Sequence, residues 1–128
     1  MTIQQHILVI EDNPHIQDVF SRVLIKFGYR VTVIGDGAEA LDYLKGCVTF
    51  PDLIVLDVNL PNVSGLYILK YLRTKLHQMD VKVVLATANQ ITSNTPEAKL
   101  ADKFVLKPIP PKQLVELMAE MLPDHFVA

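Results

Sequence analysis

Residues 53–61 read LIVLDVNLP, and this stretch decides the fold. Four apolar residues in a row, 53–56, are typical of a strand that is buried on both faces of a sheet. Asp57 follows directly, and a lone buried carboxylate is costly unless it is paired, ligated or placed at the end of the strand. We therefore expect Asp57 at the carboxyl end of a central strand, facing partners from elsewhere in the chain.

The composition is that of one globular domain. The chain has 128 residues, half of them hydrophobic, and a formal net charge of −2, which argues against a dominant nucleic-acid surface. No apolar run approaches the ~20 residues of a membrane span. Residues 1–10 have no basic region followed by a cleavage site, so we expect no secretory signal. The single cysteine, Cys47, suits a reducing compartment. We expect a single domain over residues 1–128, a cytoplasmic location and no membrane insertion.

Strand and helix patterns alternate along the chain. Asn13 is a candidate N-cap and Pro14 suits the first position of the first helix, which ends at Gly28. The alternating order predicts an α/β fold, with five parallel strands and helices on both faces of the sheet. The expected strands are residues 6–10, 29–34, 52–58, 81–87 and 103–106, and the later helices are residues 38–46, 64–77 and 111–123.

The segment between the fourth and fifth strands interrupts this alternation. It reads NQITSNTPEAKLAD over residues 89–102, and Pro96 divides it. Helix capacity is limited to residues 96–101, which is shorter than the mean helix of ~11 residues. We therefore predict that the fourth helix is short or irregular.

Four of the five strands are followed by side chains that can do chemistry. In parallel α/β sheets ligands bind beyond the carboxyl ends of the strands. Three carboxylates gathered there repel one another unless a cation intervenes. Mg²⁺ is the natural cation because it prefers oxygen ligands and retains waters, and Mn²⁺ is a substitute. The side chains at these strand ends are Glu11, Asp12, Asp57, Thr87 and Lys107, with Asn59 two residues beyond Asp57.

These residue types suit phosphoryl transfer. Asp12, Asp57 and a backbone carbonyl near Asn59 would form a half-open metal shell. Lys107 and Thr87 can then bind phosphoryl oxygens. Asp57 is the carboxylate placed to act as a nucleophile, and aspartyl phosphates are established covalent intermediates.

The same residues carry a family resemblance. Glu11-Asp12, Asp57, LP with Gly65 beyond it, Thr87-Ala88 and Lys107-Pro108 stand in the order found in receiver domains of bacterial two-component response regulators. The chain resembles these domains over nearly its whole length. The resemblance implies a flavodoxin-like, doubly wound (βα)5 fold.

The resemblance also implies a set of roles at the metal and phosphoryl site. Asp57 is the implied phosphoacceptor, served by the phosphohistidine of a sensor histidine kinase or by a histidine phosphotransfer protein. Asp12 is implied to bind Mg²⁺ directly, Glu11 mainly through water, and Asn59 through its main-chain carbonyl.

A second group of implied roles concerns the switch. Thr87, Ala88 and Lys107 are implied to contact the phosphoryl group, with a cis peptide bond between Lys107 and Pro108. Phe104 occupies the position of an aromatic residue that changes rotamer together with the threonine. Thr87 and Lys107 are 20 residues apart, about two fewer than in typical relatives, so the surface around the fourth helix, fifth strand and fifth helix is expected to be altered.

The predicted function is a phosphorelay switch that changes its affinity for an unknown downstream protein. We expect no enzymatic activity beyond its own phosphorylation and slow autodephosphorylation, no direct contact with nucleic acid, and a monomer or weak homodimer. As given, the chain is expected to be a stand-alone receiver, with a fragment of a longer protein as the alternative. A receiver-like interaction module that works without phosphorylation remains the alternative function.

Two other classes fit less well. Phosphatases of the haloacid dehalogenase type place an aspartate as general acid where Asn59 stands, and an asparagine cannot transfer that proton. A flavin or nucleotide module needs a Gly/Ser/Thr-rich phosphate cradle after the first strand. Residues 11–14 of this chain instead read EDNP, which repels phosphate unless a metal is present.

Overall fold

The computed structural model describes residues 4–123 and has the predicted architecture. The elements are β1 His6–Ile10, α1 Pro14–Lys26, β2 Arg30–Ile34, α2 Gly37–Lys45, β3 Leu53–Asp57, α3 Gly65–Thr74, β4 Lys82–Thr87, β5 Lys103–Leu106 and α4 Pro111–Met121. The five parallel strands form one sheet in the order β2-β1-β3-β4-β5, and every β-α-β connection is a crossover of the doubly wound type. The predicted flavodoxin-like α/β fold is therefore confirmed.

Three helices begin at polar side chains that accept hydrogen bonds from backbone N–H groups of the first turn. Asn13 accepts from the N–H groups of His15 and Ile16 at the start of α1, as predicted. Asp36 caps α2, and Ser64 caps α3. Across residues 4–123, no helix has both the length and the apolar character needed to cross a bilayer.

The two faces of the sheet carry separate parts of the core. Successive residues of a strand point to opposite faces. Ile7 and Val9 of β1 pack with residues of α1 and α4, whereas Leu8 and Ile10 pack with residues of α2 and α3. Because β1, β3 and β4 are buried on both faces, their apolar runs are nearly continuous.

No α-helix forms between β4 and β5 in the described structure. Two 3₁₀ helices, Gln90–Asn94 and Glu97–Leu100, take the place of a fourth helix, which agrees with the prediction of an irregular segment. In the first of them the hydrogen bonds are local: Thr92 N–H donates to Asn89 O, and Thr95 N–H donates to Thr92 O. The second packs against α3 through the buried Ala98.

The predicted end of α3 was wrong. The helix stops at Thr74 rather than continuing to His77. The N–H groups of Lys75 and Leu76 both donate to Tyr71 O, and His77 has a left-handed backbone with φ 54°. The helical spacing of leucines continues to Leu76 because that side chain still packs on the core. The sequence pattern therefore predicted a helix that is longer than the one observed.

A buried guanidinium joins the end of α3 to the segment that precedes β5. The side chain of Arg73 is buried, and its Nη2 lies 3.0 Å from Asp102 Oδ2. The same carboxylate oxygen accepts from the N–H of Val83 in β4 at 2.8 Å. We call these contacts the Arg73 latch. Its other acceptors are the carbonyl oxygens of Gln78, Val81 and Leu100, at 2.7, 2.7 and 3.1 Å.

We predict that Arg73→Met lowers the free energy of unfolding by about 3 kcal/mol, because buried acceptors and a carboxylate lose their partner. Urea denaturation would measure the change. Arg22→Met is the matched control: Arg22 pairs with Asp18 on the exposed face of α1, so its loss should cost about 0.5 kcal/mol or less. Equal losses for the two variants would contradict a structural role for the latch.

His6 gives the fold a pH dependence. Burial lowers the pKa of its imidazole, the nearby Arg30 lowers it further, and Asp52 opposes both. Because folding favours the neutral ring, the unfolded chain binds the proton more tightly, and stability is lost as the pH falls below about 6.5.

We therefore predict that the free energy of unfolding decreases between about pH 7 and about pH 5, and that His6→Gln flattens this decrease. Urea titrations at several pH values would measure the slope. Exposed His77, replaced by Gln, is the control and should retain the wild-type slope. An unchanged slope in His6→Gln would assign the dependence to other groups.

Candidate functional site

The carboxyl ends of four strands meet at one edge of the sheet. Asp57 is the last residue of β3 and Thr87 the last of β4, and both strands run in the same direction side by side. Lys107 follows β5, and its N–H donates to Thr87 O at 2.9 Å. Glu11 and Asp12 follow β1, which lies on the other side of β3. The parallel register therefore brings the five predicted strand-end residues to one edge.

Three carboxylates form a compact cluster at this edge. Oxygen atoms of Glu11, Asp12 and Asp57 lie within 4.8 Å of one another. Glu11 and Asp57 are 3% and 5% exposed, whereas Asp12 is open to solvent. The cluster therefore has a buried base and one accessible side.

The ammonium of Lys107 lies between two of these carboxylates. Its Nζ is 2.6 Å from Glu11 Oε1 and 3.2 Å from Asp57 Oδ2. The peptide bond from Lys107 to Pro108 is cis. The ammonium thus pairs directly with the residue predicted to accept phosphate.

Burial and charge oppose each other in this group. Burial raises the pKa of Glu11, and the Asp57 carboxylate adds to the rise, whereas Lys107 and the N–H of Asn13 oppose it. Burial alone would lower the pKa of Lys107, but the Glu11 and Asp57 carboxylates outweigh it and raise that pKa. The lysine is therefore held as a cation.

Backbone and amide groups hold the acidic residues in place. The N–H of Asn13 donates to Glu11 Oε2 at 3.1 Å, and the N–H of Asn59 donates to Asp57 Oδ1 at 3.2 Å. Gln17 was missed from the sequence: its Nε2 donates to the carbonyl oxygen of Glu11 at 2.5 Å. Its place one turn into α1, facing the Glu11-Asp12 turn, is the signal that could have identified it.

The predicted switch residues lie close to the cluster in the fold. Thr87 is fully buried, and its Oγ1 accepts from the N–H of Asn89 at 3.2 Å. Ala88 is exposed. Phe104 is half-buried and packs on the face of the sheet that also carries Leu85, its partner in β4. Since side chains alternate along a strand, Thr87 points to this same face, two residues beyond Leu85.

The donor set fits a hard divalent cation. Carboxylate oxygens are the ligands that Mg²⁺ prefers, and it retains waters on its open side. Two of the three carboxylates already share one ammonium, and the third, Asp12, faces solvent. The residues that could hold such an ion are Glu11, Asp12 and Asp57, with the backbone of Asn59 next to them.

A 2-1-3-4-5 parallel sheet with an aspartate and a lysine paired at its carboxyl edge defines a doubly wound α/β domain of the flavodoxin-like class, with its candidate site at the carboxyl ends of the strands. The family model of the response regulator receiver domain matches residues 7–119. The chain belongs to this family, whose members act in two-component signalling.

Individual relatives agree with this assignment. The DNA-binding response regulator MtrA of Mycolicibacterium smegmatis is 35% identical over 119 residues, which are 89% of this chain and 49% of MtrA. Response regulator SaeR of Staphylococcus aureus is 32% identical over 86% of this chain and 47% of its own. The chain thus spans about half the length of the curated relatives it matches.

Solved structures extend the likeness to the fold. The chemotaxis response regulator CheY4 of Vibrio cholerae has a TM-score of 0.82 and 25% identity, covering 94% of this chain and all of CheY4. TrrA of Thermotoga maritima, solved in complex with Mg(2+)-BeF, has a TM-score of 0.81 and 30% identity over 93% of this chain and all of TrrA.

We predict that Asp57→Asn stabilises the metal-free protein. Removing one of three clustered carboxylates relieves repulsion, and Lys107 keeps Glu11 as a partner, so unfolding should cost at least about 1 kcal/mol more in EDTA. Chemical denaturation would measure this, with Asp42→Asn, an exposed carboxylate of α2, as the charge-matched control. A destabilised Asp57→Asn protein would show that the Lys107 contact outweighs the repulsion.

Proposed function

We propose that this chain is a phosphorylatable switch in which Asp57 accepts the phosphoryl group. The observation that carries the proposal is the pairing of a nearly buried aspartate at a strand end with Lys107, at 3.2 Å, beside two further carboxylates. A carboxylate at such a position is a nucleophile whose charge is held by neighbours rather than by water.

The proposed reaction is a single displacement at phosphorus. A carboxylate oxygen of Asp57 forms a bond to phosphorus while the P–N bond of a phosphohistidine breaks, and the electron pair remains on the imidazole nitrogen. With acetyl phosphate the P–O bond breaks and acetate leaves. Attack of water on the aspartyl phosphate releases inorganic phosphate and restores Asp57, which is the proposed slow autodephosphorylation.

Each residue of the site has a distinct role in the proposed reaction. Lys107 neutralises a phosphoryl oxygen, and the hydroxyl of Thr87 donates to another. Glu11, Asp12 and Asp57, with the main-chain carbonyl of Asn59, would hold Mg²⁺, for which Mn²⁺ can substitute. When bound, this ion supplies charge neutralisation for the phosphoryl oxygens. The binding of Mg(2+)-BeF by TrrA supports this proposal.

The proposed output is a change of surface near the irregular segment. Thr87 moves toward the phosphoryl group, and Phe104, on the same face of the sheet, changes rotamer with it. The hydrogen bonds described for Thr92, Ser93 and Thr95 run to acceptors only three residues away, so this stretch would move at low cost. Partner affinity changes by the difference in binding between the two states.

The proposed partners are a sensor histidine kinase or a histidine phosphotransfer protein, and an unidentified downstream protein. The expectations of a cytoplasmic location, of a monomer or weak homodimer and of no metabolic enzyme activity remain predictions. The absence of direct contact with nucleic acid also remains a prediction. MtrA is a DNA-binding protein, but this chain matches only 49% of its length.

We predict one phosphoryl adduct in the intact mass after incubation with acetyl phosphate and Mg²⁺. The adduct should be absent in Asp57→Asn and in EDTA, because the first removes the nucleophile and the second the cation. Asp42→Asn carries the same charge change on exposed α2 and should be phosphorylated like the wild type.

An adduct that persists in Asp57→Asn would place the acceptor elsewhere. No adduct in wild-type protein that binds Mg²⁺ and is offered a phosphorylated histidine phosphotransfer protein would favour the second candidate. That candidate is a receiver-like interaction module without phosphorylation, and the two 3₁₀ helices in place of a fourth helix are the observation that favours it.

A further inference from the structure

The turn after β2 reads Gly35-Asp36-Gly37, and we call it the GDG turn. It supplies none of the carboxylates of the acidic cluster. It nevertheless touches both loops that carry the cluster: the first loop, residues 11–13, and the second loop, residues 58–64, which follows Asp57. A segment in this position can fix the spacing of the two loops.

The contact with the first loop runs through Glu11. The carbonyl oxygen of Ile34, just before the turn, accepts from the N–H of Glu11 at 3.1 Å. A Cβ atom on Gly35 would lie 2.8 Å from Gln17 Nε2 and 3.6 Å from the carbonyl oxygen of Glu11. Gln17 donates to that same oxygen. The start of the GDG turn, Gln17 and the main chain of Glu11 are therefore packed together.

The contact with the second loop is tighter and involves backbone. The N–H of Gly37 donates to Pro61 O at 3.0 Å. A Cβ atom on Gly37 would lie 1.9 Å from Val63 O, so any side chain there must displace the loop. Asn62, with a left-handed backbone at φ 69°, donates from Nδ2 to Asp36 Oδ1.

Asp36 connects this loop to the start of α2. Its second carboxylate oxygen accepts from the N–H of Glu39 at 2.9 Å, which caps the helix. The donors Glu39 N–H and Asn62 Nδ2 also lower the pKa of Asp36, so the carboxylate stays ionised. One side chain thus joins the helix, the turn and the second loop.

We propose that the GDG turn, with Asn62, is a positioning element that sets the separation of the two loops and thereby the affinity for Mg²⁺. This inference rests on the proposed function, because it concerns the ion that the phosphoryl transfer requires. Residues that orient metal ligands without touching the ion alter metal affinity about 10-fold to 100-fold when replaced. On one side of the site Ile34 and Gly35 contact the main chain of Glu11 or lie next to it, and on the other side Asp36 and Gly37 contact residues 61–62, which follow Asp57 and Asn59.

We predict that Gly37→Ala weakens Mg²⁺ binding about 10-fold or more, measured by titration calorimetry on the full chain. Gly46→Ala is the matched control. It lies at the other end of α2, where an added Cβ would sit 3.6 Å from Asp42 O in ordinary contact, and its Mg²⁺ affinity should equal that of the wild type.

Asn62→Gly keeps the backbone freedom needed at φ 69° but removes the hydrogen bond to Asp36. It should weaken Mg²⁺ binding in the same direction and decides the question if Gly37→Ala does not fold. The midpoint of thermal unfolding in EDTA separates the two roles. A purely structural role would lower that midpoint and leave the Mg²⁺ dissociation constant unchanged.

Wild-type affinity for Mg²⁺ in both folded variants would overturn the positioning role while leaving the proposed function intact. Absence of Mg²⁺ binding by the wild type would overturn the proposed function, and the positioning role with it. Weaker binding in Gly37→Ala and Asn62→Gly, with Gly46→Ala unchanged, would support the proposal.

Discussion

The ion pairs of Lys107 with Glu11 and Asp57 are the constraint on which this structure depends. They make a cluster of three carboxylates compatible with the end of a buried sheet, where an unpaired charge would be costly. The lysine comes from the last strand and the acids from the first and third. Completing the cluster therefore requires that β5 is docked on β4, so both ion pairs form only once the sheet is complete.

Much of the fold and of the site could be predicted because buried parallel strands appear in the sequence as nearly continuous runs of apolar residues. β1 and β5 have the predicted bounds, and α1 begins at Asn13 and Pro14 as expected. The parallel topology then predicted the site, because the carboxyl ends of parallel strands lie at one edge of the sheet. Glu11 and Asp57, which are 46 positions apart in sequence, could therefore be placed together.

The remainder depends on contacts that leave no local pattern. Arg73 lies among the leucines of α3 as any surface residue would, and its acceptors come from segments up to 29 residues away. The glycines of the GDG turn predict that the second strand ends there. They do not predict how close the turn lies to the second loop, because the packing of α2 on α3 sets that distance. The end of α3 was misplaced because Leu76 still packs on the core after the helix has stopped.

The Arg73 latch has a consequence for how this domain can change during evolution. With Thr87 fixed in β4 and Leu100 held by the guanidinium, the chain between them is a loop with two anchored ends. The entropic free-energy cost of closing such a loop rises by only about 0.6 kcal/mol for each doubling of its length. Insertions and deletions between Thr87 and the buried Ala98 thus cost little in closure entropy, so new surfaces can arise there beside an unchanged cluster of carboxylates.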